Sequence, residues 1–133
     1  MRGLPAGVEQ IDGAQELYDW FGYWPAFHDA EVLRFQLNLK APCHLSLHTW
    51  EMTSRVDERG FYELTKHVVV DFTLTNVSAL NFVDPWERSI LLDLTIERTG
   101  AGFRLDLSSS YGLSGSLEAE HLSLRLKPGR PNV

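Results

Sequence analysis

Six separate stretches of this chain alternate apolar and polar residues, and a period of two is the pattern of strands with one dry and one wet face. In residues 32–40, VLRFQLNLK, the apolar set is Leu33, Phe35, Leu37 and Leu39, interleaved with Arg34, Gln36, Asn38 and Lys40. Residues 44–52, HLSLHTWEM, start alike at Leu45 and Leu47 and then change phase to Trp50 and Met52, the mark of a bulge or a strand end. The segment 66–75 sets Val68, Val70, Phe72 and Leu74 on one face, and 89–97 does so with Ile90, Leu92, Leu94 and Ile96. Between these two, NVSALNFVDPWER reads as a longer loop with room for a short strand. Residues 102–111 align Phe103, Leu105, Leu107 and Tyr111, and the glycines of RTGAG before them supply a hairpin turn. In 115–126, Leu117 and Ala119 occupy odd positions but Leu122, Leu124 and Leu126 even ones, which predicts a one-residue bulge near Glu120 and His121. SRVDERG is a charged connection, and the polar tail KPGRPNV is expected to be loose over 128–133.

A helical period occurs once, in residues 12–24, DGAQELYDWFGYW. Asp12 is the expected N-cap, with Gln15 at the capping-box spacing, and Leu17, Trp20, Phe21 and Trp24 form the apolar face. Gly22 and Pro25 place the end nearby. The opposite face carries Asp12, Glu16 and Asp19 as an exposed stripe. The helix dipole accounts for acids in the first turn, and less well for Asp19. One helix and six alternating segments predict an α+β fold: an antiparallel, mostly meandering sheet of about six strands with one N-terminal helix packed on it. The expected layout is a single domain over 1–133, strand-rich from 31 to 127, whose second sheet face is broad, polar and without a deep pocket.

Charge narrows the partners. The chain of 133 residues has a formal net charge of −6, which opposes direct binding of nucleic acid, where a basic surface is needed to displace counterions. Residues 1–31 carry Glu9, Asp12, Glu16, Asp19, Asp29 and Glu31 against Arg2 alone, a local balance of −5. Such a surface steers a basic partner toward it, although acids also simply keep small proteins dissolved. No apolar run approaches a membrane span, and MRGLPAGVEQIDG has no secretory apolar core, so a cytoplasmic protein without membrane contact is expected. A lone Cys43 forms no internal disulfide and excludes a multi-cysteine zinc site.

Candidate chemistry concentrates in FGYWPAFHDAEV, residues 21–32. An adjacent His28 and Asp29 resembles the ligand pair of metal-dependent phosphohydrolases, but those draw further ligands from surrounding helices. The structural reading makes this a corner: Trp20, Trp24 and Pro25 close the helix, Phe27 enters the core, and Asp29 caps the turn through backbone N–H groups. His28 is then expected to fill the gap beneath Trp24 or Trp20. His44 and His48 share a strand side, as do His67 and Asp71, yet residues four apart on a strand lie roughly 13 Å apart and cannot share an ion. Each strand histidine is expected on a solvent face. Ser114 sits in YGLSG between strands and lacks the strand-turn-helix setting of a nucleophile elbow. Asp84 and Glu87 flank Trp86 without a pocket, and no dinucleotide or phosphate loop occurs. No catalytic residue, metal or cofactor is assigned.

The run WFGYWPAFHDAEV, residues 20–32, and the later Tyr111, Gly112 and Gly115 of YGLSG resemble a family of bacterial immunity proteins, number fifty among those paired with polymorphic toxins. Ala26 stands where that family more often has serine. The resemblance implies a short helix, a strand-rich remainder, no catalytic residues and one task, binding and neutralising a cognate toxin. Many such toxins attack nucleic acids and are basic, and Asp12, Glu16 and Asp19 would then be the toxin-binding residues. Two other readings stand beside it: a small metal hydrolase using the His28-Asp29 corner with a strand histidine, and a module that self-associates through an exposed strand edge. Oligomeric state is not readable from the chain.

Overall fold

The alternating segments become β1 (Glu31–Gln36), β2 (Cys43–Val56), β3 (Tyr62–Val83), β4 (Ser89–Arg98), β5 (Phe103–Tyr111) and β6 (Ser114–Pro128), preceded by a single helix, α1 (Ala14–Phe21). The computed structural model describes residues 4–38, 40–83, 89–111 and 114–131. Leu39, Gly112 and the loop holding Asp84, Trp86 and Glu87 lie outside the described residues, as does the side chain of Leu92. The fold is α+β, one helix on an antiparallel sheet, and the spatial order β1-β2-β3-β6-β5-β4 closes into a barrel. Hairpin neighbours β1-β2, β2-β3, β4-β5 and β5-β6 account for the meander, while β3-β6 and β4-β1 join its two halves. Closure removes most of the unpaired strand edge that an open sheet would present.

Register sets the core. Leu45 and Leu47 of β2 lie opposite Phe72 and Val70 of β3, which lie in turn opposite Leu124 and Leu126 of β6. With Leu91, Leu94, Phe103, Leu105, Leu107 and Leu117 these make one cluster, which α1 completes with Ala14, Leu17 and Phe21. Burying each such Leu, Val or Phe contributes roughly 1.5–3 kcal/mol before entropy is counted.

Several boundaries differ from those read in the sequence. The helix runs eight residues, Ala14–Phe21, and its N-cap is Gly13 at φ 92° with no side-chain cap. Asp12 is recruited elsewhere: it bridges Ser123 in parallel, and its carbonyl accepts the Leu124 N–H at 2.8 Å. A Cβ on Gly13 would lie 2.1 Å from the Leu124 carbonyl oxygen, so the chain passes β6 too closely for any other residue. Gly22, at φ 84°, ends the helix with an N–H bond to the Tyr18 carbonyl, leaving Trp24 beyond it. In β1 the register slips between Val32 and Arg34, so Val32 and Phe35 pack on the core while Leu33 and Leu37 are exposed. In β4, irregularities on either side of Leu91 turn that residue fully inward. The expected loop after Thr75 is instead strand, because the first half of β6, from Ser114 to Ala119, pairs with Val83 through Val77. The phase change in β6 falls at Glu120 and His121, both exposed, while the accompanying slip lies on β3 between Val77 and Ala79. The tail is tied further than expected, since Gly129 N–H reaches the His67 carbonyl at 2.7 Å.

The corner after the helix closes the barrel. Asp29 N–H donates to Leu91 O at 2.8 Å, Leu91 N–H to Ala30 O at 2.9 Å, and Leu94 N–H to Ala26 O at 3.2 Å. Two ladder pairs, Glu31 with Ile90 and Val32 with Ser89, continue the seam. Phe27 and Asp29 adopt positive φ, 61° and 65°, which bends the chain sharply enough for residues 26–30 to face β4. Phe27 is 1% exposed and meets Phe72 edge-on at 6.0 Å between ring centroids. Pro25 is also buried, and Trp20 and Trp24 pack partly exposed against the core. His28 does not fill a gap beneath a tryptophan: its side chain is 65% exposed beside the Asp29 carboxylate, and Phe27 occupies the interior. A residue at positive φ reverses which neighbour points inward, which alternation alone does not reveal. Phe27→Ala is therefore expected to lower stability by about 3–5 kcal/mol in urea titrations, and His28→Ala by less than about 0.5 kcal/mol.

Candidate functional site

Asp12, Glu16 and Asp19 are all exposed, as expected, but the fold divides them. Asp12 and Glu16 form one wall of a groove of about 510 Å³ whose floor is the polar face of the sheet. Across that floor Arg34 lies opposite Ser46, Ser46 opposite Asp71, and Asp71 opposite Arg125, a single polar row over β1, β2, β3 and β6. Ser46 Oγ donates to Asp71 Oδ1 at 2.5 Å, which fixes the carboxylate in the middle of the row. His44 and Thr73 line the same groove. Asp19 lies outside it, with Oδ1 accepting from Gln15 Nε2 at 2.9 Å. The groove therefore offers acids at its rim and both signs of charge on its floor. That arrangement suits polar and cationic side chains of a protein partner.

A second cluster brings together residues that the sequence left apart. His48 Nδ1 lies 2.7 Å from Glu31 Oε1, and His48 Nε2 lies 3.0 Å from His67 Nδ1. Their rings stack at 5.2 Å, with Trp50 against both at 4.9 and 6.0 Å. His48 is 6% exposed, not on a solvent face, because its carboxylate and imidazole partners satisfy it from β1 and β3. When the Glu31 carboxylate accepts the Nδ1 proton, neutral His48 accepts from His67 Nδ1–H, and His67 Nε2 is left buried and without a hydrogen-bond partner among the described residues. Glu31, His48 and His67 thus form one hydrogen-bonded relay across β1, β2 and β3.

The remaining candidates have structural partners. His28 Nε2 stands 3.6 Å from Asp29 Oδ2 at the exposed corner, and no group of three metal-ligating side chains occurs among the described residues. Ser114 Oγ accepts the Ser109 N–H at 3.1 Å across the β5-β6 turn. Cys43 is buried. No helix among the described residues is long and apolar enough to cross a membrane. Comparison with protein-family models, with curated proteins and with solved structures finds no match for this chain.

Burial holds the His67 pKa below its ordinary 6.5, with Arg130 and His48 adding to the effect and the Leu64 backbone opposing it. Protonation is thus disfavoured in the fold, so the His67 contribution to stability is complete above about pH 6.5 and is lost as pH falls through the lowered value. Thermal unfolding is expected at lower temperature at pH 5 than at pH 7, and His67→Gln is expected to flatten that dependence.

Proposed function

We propose that this chain is a non-catalytic, cytoplasmic immunity protein that binds a cognate basic toxin and covers its active surface. The observation that carries the reading is the exposed acidic wall of Asp12 and Glu16 over an open groove, on a chain of net charge −6. The likeness of residues 20–32 to the polymorphic-toxin immunity family supports the same conclusion. Neutralisation here means occlusion. Acids accelerate encounter with a cationic surface, a rigid barrel holds their positions, and apolar contacts retain the complex. No cofactor, metal or nucleic acid enters such a mechanism. The competing metal-hydrolase reading rests on His28 and Asp29, whose side chains stand exposed at the turn by 65% and 58%, Asp29 serving the corner through its main-chain N–H.

The test is co-expression. A protein that copurifies in stoichiometric amount, kills cells when expressed alone and is harmless beside this chain would establish the role; a copurifying protein without toxicity would contradict it. With that partner in hand, the charge-reversed pair Asp12→Lys and Glu16→Lys is expected to slow association at least tenfold at low ionic strength. The difference is expected to shrink in high salt, because exposed charges act at range through a screened field.

A further inference from the structure

Beyond the barrel, β2 and β3 continue as a two-stranded arm. Every residue from Ser54 through Lys66 is exposed, and the apolar pairs Met52 with Leu64 and Val56 with Tyr62 lie along it. The arm leaves the barrel at an irregularity between the pairs Thr49 with Val68 and Glu51 with Thr65, where Lys66 takes positive φ at 55°. Its root is held from several sides. Trp20 Nε1 donates to the Lys66 carbonyl at 3.0 Å, Lys66 Nζ to Phe21 O at 3.3 Å, and Gly129 N–H to the His67 carbonyl at 2.7 Å. The His67 ring stacks on His48, leans on Trp50 and is bonded through Nδ1 to His48 Nε2.

The relay restricts where an added proton can go. In its neutral form His48 Nδ1–H is donated to Glu31, and His67 Nδ1–H to His48 Nε2. Two protonated forms keep both hydrogen bonds. His67 takes the proton at Nε2, or His48 takes it at Nε2 while His67 shifts its own from Nδ1 to Nε2. Both end with an N–H at His67 Nε2. The residue as a whole is half-buried, but that atom is shut off from solvent and has no hydrogen-bond partner among the described residues. A buried N–H without an acceptor is costly. Burial, then Arg130 and His48, also oppose a charge on His67, and the Leu64 main chain favours it. Glu31 reaches His67 through His48, Lys127 stands opposite Val69 two residues along the same face, and Glu51 is engaged by Lys66 at 3.7 Å and by Tyr23.

We infer that the relay of Glu31, His48 and His67 is an acid-sensitive latch on the arm: it holds the root closed while His67 Nε2 is bare, and it lets the arm hinge outward when that atom takes a proton. Water satisfies the new N–H once the His67 ring leaves its stack. The Lys66 carbonyl and the His67 N–H share one rigid peptide plane, so turning the chain at His67 also turns the carbonyl away from Trp20 Nε1. Lys66 already holds a left-handed conformation that costs a side-chain residue free energy, and release relaxes it. The hinge falls at the break in the ladder, so the pairs on either side, Thr49 with Val68 and Glu51 with Thr65, stay joined. Nothing in the latch depends on a toxin partner.

Nuclear magnetic resonance of the full chain from about pH 7.5 to about pH 5, above the ordinary carboxylate range, tests the latch. Trp20 Nε1–H and Gly129 N–H report on the root, and the amides of Leu45, Phe72 and Leu124 report on the barrel. As the His67 ring signals titrate below pH 6.5, the two root protons are expected to lose at least tenfold in protection from exchange, corrected for the intrinsic effect of pH, while the barrel amides keep theirs. His67→Gln can offer His48 either its amide N–H or its carbonyl oxygen, serves both charge states, and is expected to hold the root closed at about pH 5. A His67 ring that stays neutral throughout, or root protons that stay protected while it titrates, overturns the inference. So does loss of protection by root and barrel together, which is ordinary acid unfolding, or a His67→Gln chain that opens like the unsubstituted one. The titration of the unsubstituted chain decides the matter should that variant fail to fold.

Discussion

Main-chain hydrogen bonds between the corner at residues 26–30 and β4 are the constraint on which the rest of the molecule depends. Without them only two ladder pairs, Glu31 with Ile90 and Val32 with Ser89, would join β4 to β1, and most of that edge of β4 would stand open. With them the sheet is a closed cylinder around one core. The bonds form because Phe27 and Asp29 both accept a backbone conformation that costs a side-chain residue about 1–2 kcal/mol. Phe27 offsets that cost by burying a whole aromatic ring against Phe72. The aromatic density of residues 20–27 is thus the packing that holds a turn in place, and the adjacent histidine and aspartate are carried at its exposed apex.

How far the sequence reveals this depends on whether a feature is local. Alternation identified six strands and one helix, since period is a property of consecutive residues. It misassigned part of the inward face of β1: Phe35 packs on the core as expected, but a slip beside Leu33 brings Val32 inward and leaves Leu33 and Leu37 exposed. It stopped β3 at Thr75, because Ser78, Ala79 and Asn81 resemble a loop until the first half of β6 is seen to pair with them. The acidic stripe was legible from helical spacing, but its division into Asp12 and Glu16 at a groove and Asp19 outside is set by the approach of Gly13 to β6. The relay of Glu31, His48 and His67 was illegible for the same reason: its members come from three strands, and only register brings them together. A signal for the arm did exist. The phase change at Trp50 and Met52 marks where β2 leaves the barrel.

These parts are consistent with the proposed binding role. The barrel supplies rigidity, the helix and its approach carry the acidic field, and the arm extends an apolar face beyond the core. At the root of the arm the histidine relay and Trp50 join β1, β2 and β3, so the angle of the arm is tied to the same strands that the corner closes. Charge acts at range and apolar surface on contact, and the proposed toxin-binding role would draw on both.

Native-state hydrogen exchange at the corner tests closure most directly. If the corner completes the barrel, the amides of Asp29, Leu91 and Leu94 exchange only through global unfolding, with the same free energy as amides of the β2-β3 ladder. Exchange of these three by local opening, several kcal/mol below a still protected ladder, would show that the barrel stands without the corner and would contradict the account.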